Sequence, residues 1–378
     1  MTDISDPVEL TRKLLFFKTV NPPGDEFELA QFAADLLGKA GYQITTRSFG
    51  LKRTNVIAVL KGDGGNRAPL CFSGHMDTVP LGNAEWRVDP FSGEREGDIL
   101  YGRGASDMKG GLAAMISAAL RLAQLERRAA DIKLVLTAGE EYGCQGAAFL
   151  ADKAADALGD AGALVVCEPT ANYPMLGHKG AMWLEAEALG RAAHGSMPEQ
   201  GDNAIYKIGR AITRLETYRF NAGAHPVLGS PTLNVGTVSG GTNFNIVPDR
   251  AVIGIDIRTV PGQKIEKIRD DLAAYLGDEV RLSSGMGADS VWTDPDDPWV
   301  GEVFEIMEPL IGESPEVRGV TYFTDASALT AAMGRPPTFI LGPGEPSQAH
   351  KTNEYCYASK IETAAEAYFR IARAWTAS

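Results

Sequence analysis

Between about residues 180 and 284 the spacing of apolar residues differs from that on either side, and this change limits the fold more than any other feature of the chain. The first 178 residues alternate helical and extended patterns. Leu10, Leu14 and Leu15, then Leu29, Phe32, Ala33, Leu36 and Leu37, recur at helical spacing, with Gly41 as a stop. Short apolar runs at 55–60, 69–73, 131–137 and 163–167 read as strands, and helices are expected over about 109–126 and 145–155. Such strands separated by helices build an α/β layer whose sheet is covered on both faces. From 180 the order becomes strand (182–189), helix (203–218), strand (232–239), strand (251–258), helix (264–276) and strand (280–284). That βαββαβ order is the split-βαβ, ferredoxin-like unit. The α/β pattern then resumes, with a helix at 298–311, a strand at 338–341 and a closing helix at 360–376. The spacing therefore predicts a discontinuous α/β domain over 1–178 and 292–378, interrupted by an α+β domain over 179–291.

A length of 378 residues suits two domains. Lys and Arg total 36 against 49 Asp and Glu, a net charge of −13 that repels phosphate backbones, so no nucleic-acid partner is expected. The 44% hydrophobic share is enough for a sizeable core. Cys71, Cys144, Cys167 and Cys356 are too scattered for a disulfide framework and form no C-x-x-C pair. No apolar run reaches the roughly 18 residues of a membrane span. The opening MTDISDPVEL has neither the basic nor the apolar region of a signal peptide. The expectation is a cytoplasmic protein without a membrane partner.

Five short segments put carboxylates and histidines where buried core should otherwise be. CFSGHMDTVP presents His75 and Asp77 two apart, on one face of an extended segment. YGRGASDMKGG puts Asp107 in a glycine-rich turn before a helix, and TAGEEYGCQG carries Glu140 and Glu141 just past a strand. CEPT ends another strand with Glu168, and His350 follows the turn Gly342-Pro343-Gly344. Singly, each is commonplace: a lone histidine is more often structural, and a Glu-Glu pair is more often a solvated turn. Yet His75, Asp107, Glu141 and Glu168 all fall near predicted strand ends or the loops that follow them, and such ends line the ligand crevice of an open α/β sheet. Imidazole plus carboxylate is the ligand set of zinc, with manganese or cobalt as substitutes. Two histidines and three carboxylates suffice for two divalent ions if one carboxylate bridges, leaving one acid as general base. Asp77, beside His75, is placed to orient that imidazole.

The motifs G-H-x-D-x-V-P (74–80), Y-G-R-G-x-x-D-M-K-G-G (101–111), E-E (140–141), E-P-T (168–170) and the late A-H (349–350) carry a resemblance to a known family. The chain resembles, essentially end to end, the M20 family of co-catalytic zinc amidohydrolases, especially its acetylornithine deacetylase and succinyl-diaminopimelate desuccinylase branch. The resemblance implies a zinc-exopeptidase-like catalytic domain with an inserted ferredoxin-like lid and dimerisation domain. It makes Asp107 the bridging ligand, His75 and Glu168 the other ligands of one ion, and Glu141 and His350 those of the second. Glu140 becomes the general acid/base, Asp77 the orienter of His75, and the Asp107–Met108 peptide a candidate cis bond.

In the inserted domain, AHGSMP (193–198) is similar to the family's lid motif and points to His194 as an oxyanion donor acting across a homodimer. NFNIVPD (243–249) points to Asn245, and DIR (256–258) to Arg258, as substrate contacts. Lys179 and Gly344 are further substrate-side candidates. His178 and His225 match no motif and read as surface or structural, and Cys144 and Cys167 as small buried apolar residues. His178-Lys179-Gly180 departs from the Arg-Arg-Gly of desuccinylases, and LGPGEPSQAH is closer to the deacetylase type. What is expected is hydrolysis of a small N-acyl amino acid or short peptide by a homodimer holding two Zn2+ ions. A carboxypeptidase or dipeptidase of the same family, and a non-catalytic binding protein retaining the fold, stand as alternatives.

Overall fold

The strands that carry the candidate site are continuous apolar runs, and they are buried along their whole length. The structure, a computed structural model, describes residues 5–65 and 67–377. In chain order the main elements begin with α1 (Pro7–Leu15), α2 (Phe27–Lys39), β1 (Gln43–Gly50), β2 (Arg53–Leu60), β3 (Leu70–His75) and α3 (Gly110–Leu122). They continue with β4 (Ile132–Thr137), α4 (Gln145–Lys153) and β5 (Ala163–Val166). Next come β6 (Gly180–Leu189), α5 (Ala204–Glu216), β7 (Thr232–Gly240), β8 (Arg250–Thr259), α6 (Ile265–Leu276) and β9 (Arg281–Ala288). The chain closes with α7 (Pro298–Ile311), α8 (Ala326–Ala332), β10 (Thr338–Ile340) and α9 (Ala358–Ala377).

Two compact units result. The first comprises Met1–Gly177, Val291–Gly319 and Thr324–Ser378. Its six-stranded sheet has the order β1-β2-β4-β3-β5-β10. β3 pairs in parallel with both β4 and β5, and β10 in parallel with β5, whereas β1 and β2 add an antiparallel edge. Every residue of β3, β4 and β5 is buried, as expected for strands covered on both faces. Lys133, the one charged residue among them, donates through Nζ to the carbonyls of Leu158, Gly159 and Asp160. α3 is small-residue-rich and almost wholly buried, and packs against α1, α9 and β3.

β1 falls on a segment the spacing does not mark, because QITTRSFG is partly exposed and has only Ile44 and Phe49 as large apolar residues around a polar run. α8 is also unmarked, being only seven residues long. The helix expected from 109 begins at Gly110 because a wide turn, Ala105–Lys109, precedes it, and Asp107 sits there in extended conformation (φ −121°, ψ 93°). The Asp107–Met108 peptide is cis.

The second unit comprises His178–Ser290 with Val320–Phe323. Its antiparallel sheet has the order β7-β8-β6-β9, the ferredoxin-like arrangement. β6 and β8 alternate in burial, and Leu184, Ala186, Ile253 and Ile255 pack with Ile208 and Leu215 of α5 and Leu272 of α6. Val320–Phe323 joins this unit through Lys179 N donating to Val320 O (3.1 Å) and the Phe323 ring meeting Trp183 edge-on at 6.2 Å.

Candidate metal centre

Parallel pairing of β3 with β4 and β5 sets three strand ends side by side. His75 is the last residue of β3 and pairs with Thr137 at the end of β4. Glu140 and Glu141 follow three and four residues later, and Glu168 follows β5. The Ala105–Lys109 turn brings Asp107 to the same place, and His350 arrives on the loop after β10.

Asp107 lies between the two histidines. His75 Nε2 is 3.0 Å from its Oδ1 and His350 Nε2 is 3.4 Å from its Oδ2. A second carboxylate stands by each ring: Glu168 Oε2 lies 3.7 Å from His75 Nε2, and Glu141 Oε2 lies 2.9 Å from His350 Nε2. His75, Asp107 and Glu141 have ligand-type atoms within 4.8 Å of one another, as do His75, Glu140 and Glu168. The sequence-predicted set His75, Asp107, Glu140, Glu141, Glu168 and His350 is thus brought into one cluster.

The tautomer of His75 follows from its surroundings. Its Nδ1 is 3.0 Å from the main-chain carbonyl of Asp77, which only accepts, so Nδ1 carries the hydrogen. The Nε2 lone pair then faces two carboxylates, an arrangement that calls for a cation or a proton between them. The Asp77 carboxylate stands beside the imidazole and also binds the turn that follows β4. It is 3.6 Å from Nδ1, within ion-pair reach, and accepts from the amides of Gly139 (2.9 Å), Glu140 (3.1 Å) and Glu141 (3.2 Å) and from Asn21 Nδ2 (2.8 Å). Asp77 therefore orients His75 through its main chain and holds the Glu140 turn through its side chain.

Crowding of carboxylates shifts every proton affinity here. Burial, then the charge of Glu168, pushes Glu140 well above the usual carboxylate range. Burial and Asp107 push Glu141 up to about 8, and burial raises Glu168 to about 7. Burial alone would lower His75, but the charge of Glu168 and the bond to Asp107 raise it overall. Hydrogen bonds to Asp107 and Glu141 raise His350 to about 10. Burial would raise Asp107 too, yet the two imidazoles hold it below its ordinary value. The cluster is short of positive charge. Glu141 Oε1 is buried with no hydrogen-bond partner among the described residues, a further sign that the donor set fits divalent ions.

Two buried carboxylates here, Asp325 and Glu354, went unmarked in the sequence, and Cys144 makes a contact its apolar reading did not include. Asp325, just before α8, is 1% exposed and accepts from Thr137 Oγ1, and with Glu140 and Cys144 forms a third close group. Cys144 is buried as expected but points its Sγ at Glu140 Oε1 (3.7 Å) rather than acting only as an apolar filler. Glu354, four residues past His350, is fully buried. The only local hints are T-D-A before a short helix and N-E in HKTNEY.

The remaining candidates are held as follows. Gly344 packs so closely that a Cβ would meet Ser106 O at 2.1 Å, and its carbonyl accepts from Ala171 N. In the second unit, His194 and Asn245 are neighbours, with Gly195 N donating to Asn245 O at 2.7 Å. His194 is exposed, and its Nδ1 accepts from Ser196 N (3.2 Å) and lies 2.7 Å from Ser196 Oγ, which leaves Nε2 as the ring nitrogen free of both contacts. Lys179 is buried and donates to Ser230 O at 2.6 Å. Two of the Arg258 nitrogens, Nε and Nη2, already form a fork with Asp256 at 2.9 Å each, so the expected two-pronged grip on a substrate carboxylate competes with a neighbour.

The family model described as Peptidase family M20/M25/M40 matches residues 71–374. An acetylornithine deacetylase of Myxococcus xanthus is 32% identical over 346 residues, covering 86% of each chain. A probable succinyl-diaminopimelate desuccinylase of Staphylococcus epidermidis is 29% identical over 384 residues, covering 93% of each. Among solved structures, an M20 family metallo-carboxypeptidase from Sulfolobus solfataricus superposes with a TM-score of 0.82 at 20% identity, over 99% of this chain and 100% of that one. The same strand-end motifs that assemble the cluster lie inside the matched span, and the chain belongs to peptidase family M20/M25/M40.

Proposed function

We propose that the protein is a two-ion amidohydrolase that removes an acetyl or succinyl group from the amine of an amino acid. The observation that carries this reading is Asp107 standing between two imidazoles, with a second carboxylate by each ring. One ion would take His75, Asp107 and Glu168, and the other Asp107, Glu141 and His350. Zn2+ is the natural occupant of such nitrogen and oxygen donors, and Co2+ or Mn2+ would substitute. When bound, the ions polarise the amide carbonyl and lower the pKa of the attacking water.

The chain's own residues then move the proton. Glu140 takes one proton from the water as its oxygen bonds to the carbonyl carbon. It passes that proton to the amine nitrogen as the C–N bond breaks. Asp77 holds the turn that presents Glu140, through the amides it binds. His194, whose Nδ1 is engaged by Ser196, would turn Nε2 to the developing oxyanion as a donor. We assign it to the site of a second copy of the chain, with 179–291 as lid and dimerisation domain. Arg258, Asn245, Lys179 and Gly344 complete the substrate side. Four cysteines, all buried and unpaired, support a cytoplasmic setting, and among the described residues no helix is long and apolar enough to cross a membrane.

Relatives of both the deacetylase and the desuccinylase kind support an N-acyl amino acid as substrate. The test is a hydrolysis screen over N-acetyl amino acids, N-succinyl amino acids and dipeptides with added Zn2+ or Co2+. Turnover of an N-acyl amino acid is the expected outcome. Turnover of dipeptides alone makes the protein a peptidase, and no hydrolysis in any arm with ions bound overturns the reading.

A further inference from the structure

Beside the metal centre lies a buried carboxylate that serves none of the roles above. Glu354 Oε2 accepts from Gly104 N (3.0 Å) and Arg103 Nη1 (2.6 Å), and its Oε1 from Ser106 N (2.9 Å) and Asp107 N (3.0 Å). All four partners are N–H donors, and three are main-chain amides of the turn that carries Asp107. A carboxylate cradled by such amides pins the turn as an anion does in a nest.

The same network reaches the segment that carries His350. Arg103, also buried, donates to Lys351 O (3.2 Å), next to His350, and to Pro80 O (3.0 Å), on the segment leaving His75. Ser106 Oγ donates to Tyr355 O (2.7 Å) and accepts from Glu345 N (3.0 Å). Glu354 itself sits just before a short strand, Tyr355–Tyr357, that pairs with Ile99–Tyr101 upstream of the Asp107 turn.

This anchoring divides the five ligand candidates. His75 and Glu168 are held at the ends of β3 and β5 by the register of the sheet. Glu141 is held by the turn bonded to Asp77. Asp107 and His350 lie outside the main sheet, on the two segments that Glu354 and Arg103 tie together.

We propose that Glu354 is a positioning residue that sets the separation of Asp107 from His350, and so tunes the ion on the Glu141–Asp107–His350 side more than the one on the His75–Glu168 side. The inference rests on the two-ion reading above. Loosening both tied segments leaves the first ion only Glu141 in place, whereas the second keeps two sheet-anchored ligands.

The discriminating variant is Glu354→Gln, because the carboxylate faces donors on both oxygens. An amide in either orientation turns two N–H groups toward two N–H groups. Glu354→Asp keeps two acceptor oxygens on a shorter arm. Both Zn2+ dissociation constants of the full chain are measured by chelator competition for wild type, the two variants and His350→Ala. Thermal unfolding of the metal-free chains is measured alongside. The expected result is a rise of about 10–100-fold in the dissociation constant that His350→Ala also raises, the usual cost of disturbing a residue that supports a ligand. The other constant stays within about threefold, and Glu354→Asp is intermediate. Wild-type constants in folded variants overturn the proposal. So does an equal rise in both constants in step with lost thermal stability, since that marks a merely structural role. If Glu354→Gln does not fold, Glu354→Asp decides by the same criteria. A wild-type chain that binds fewer than two ions overturns the two-ion reading itself, and this inference with it.

Discussion

Glu140 and Glu141 are adjacent, yet the turn that carries them points them to different partners. Glu141 meets His350, whereas Glu140 lies within reach of Cys144, in one group with Asp325 and in another with His75 and Glu168. A base of that kind can be removed without removing a ligand. Glu140→Gln is therefore expected to keep both ions and the fold while lowering kcat by about 10²–10⁴-fold, the range for general acid–base catalysis. Metal analysis together with steady-state rates checks this, and normal turnover would show Glu140 to be only a turn residue. A second prediction concerns His178, which is fully buried, with Nδ1 bonded to Lys179 O (2.8 Å) and Nε2 unpartnered among the described residues. Burial lowers its pKa to about 4 from an ordinary 6.5. Between those values the unfolded chain binds the extra proton, so this residue's contribution to stability is whole above pH 6.5 and is lost as pH falls toward 4. His178→Asn keeps an N–H donor without a titration. Its denaturation midpoint should fall less than that of wild type between pH 6.5 and 4, by the equivalent of up to about 3 kcal/mol. Parallel pH profiles would refute this.

Among the elements, α3 is the one on which the site leans most directly. It starts three residues after Asp107, and its first turn is pressed against the end of β5, where a Cβ on Gly111 would meet Cys167 O at 2.1 Å. Backbone cannot yield as a flexible side chain does. Gly111→Ala is expected to push α3 away from the strand end that carries Glu168, costing about 1–3 kcal/mol of stability as overpacking does. Ion affinity should fall with it. Differential scanning calorimetry and chelator competition read the two effects, and wild-type values in both would mean that the contact relaxes freely. The strands themselves were legible from their apolar runs, because a segment covered on both faces has no room for polar alternation. β1 and α8 were not, since an edge strand half in solvent and a seven-residue helix leave patterns that loops share.

For the whole molecule, the decisive prediction concerns the second unit. His194 is exposed on a loop of the ferredoxin-like unit, which has an exposed edge strand in β7. Edges of that kind are commonly covered by a two-fold twin. Mixing inactive His194→Ala with inactive Glu140→Gln chains should restore activity, because heterodimers then contain one site with both residues intact if His194 crosses the interface. A mixture that stays inactive after demonstrated exchange means that His194 serves its own chain. Size-exclusion chromatography with light scattering supplies the companion result, a dimer.

By itself the sequence determined the change from α/β to βαββαβ and back, and it marked His75, Asp107, Glu140, Glu141, Glu168 and His350 in short motifs at strand ends, turns and loops. Periodicity and short-range motifs are local, so a chain read in order contains them. The tertiary structure alone decided that Asp77 grips the Glu140 turn with its carboxylate while its main chain faces His75. It also decided that Asp256 occupies the fork of Arg258, and that Asp325 and Glu354 are buried carboxylates. Asp325 meets Thr137 from 188 residues away, and Glu354 meets Asp107 from 247. Whether a carboxylate is a solvated surface group or a buried acceptor depends on which N–H and O–H donors the fold brings to it. Partners so distant leave no spacing in the chain to read.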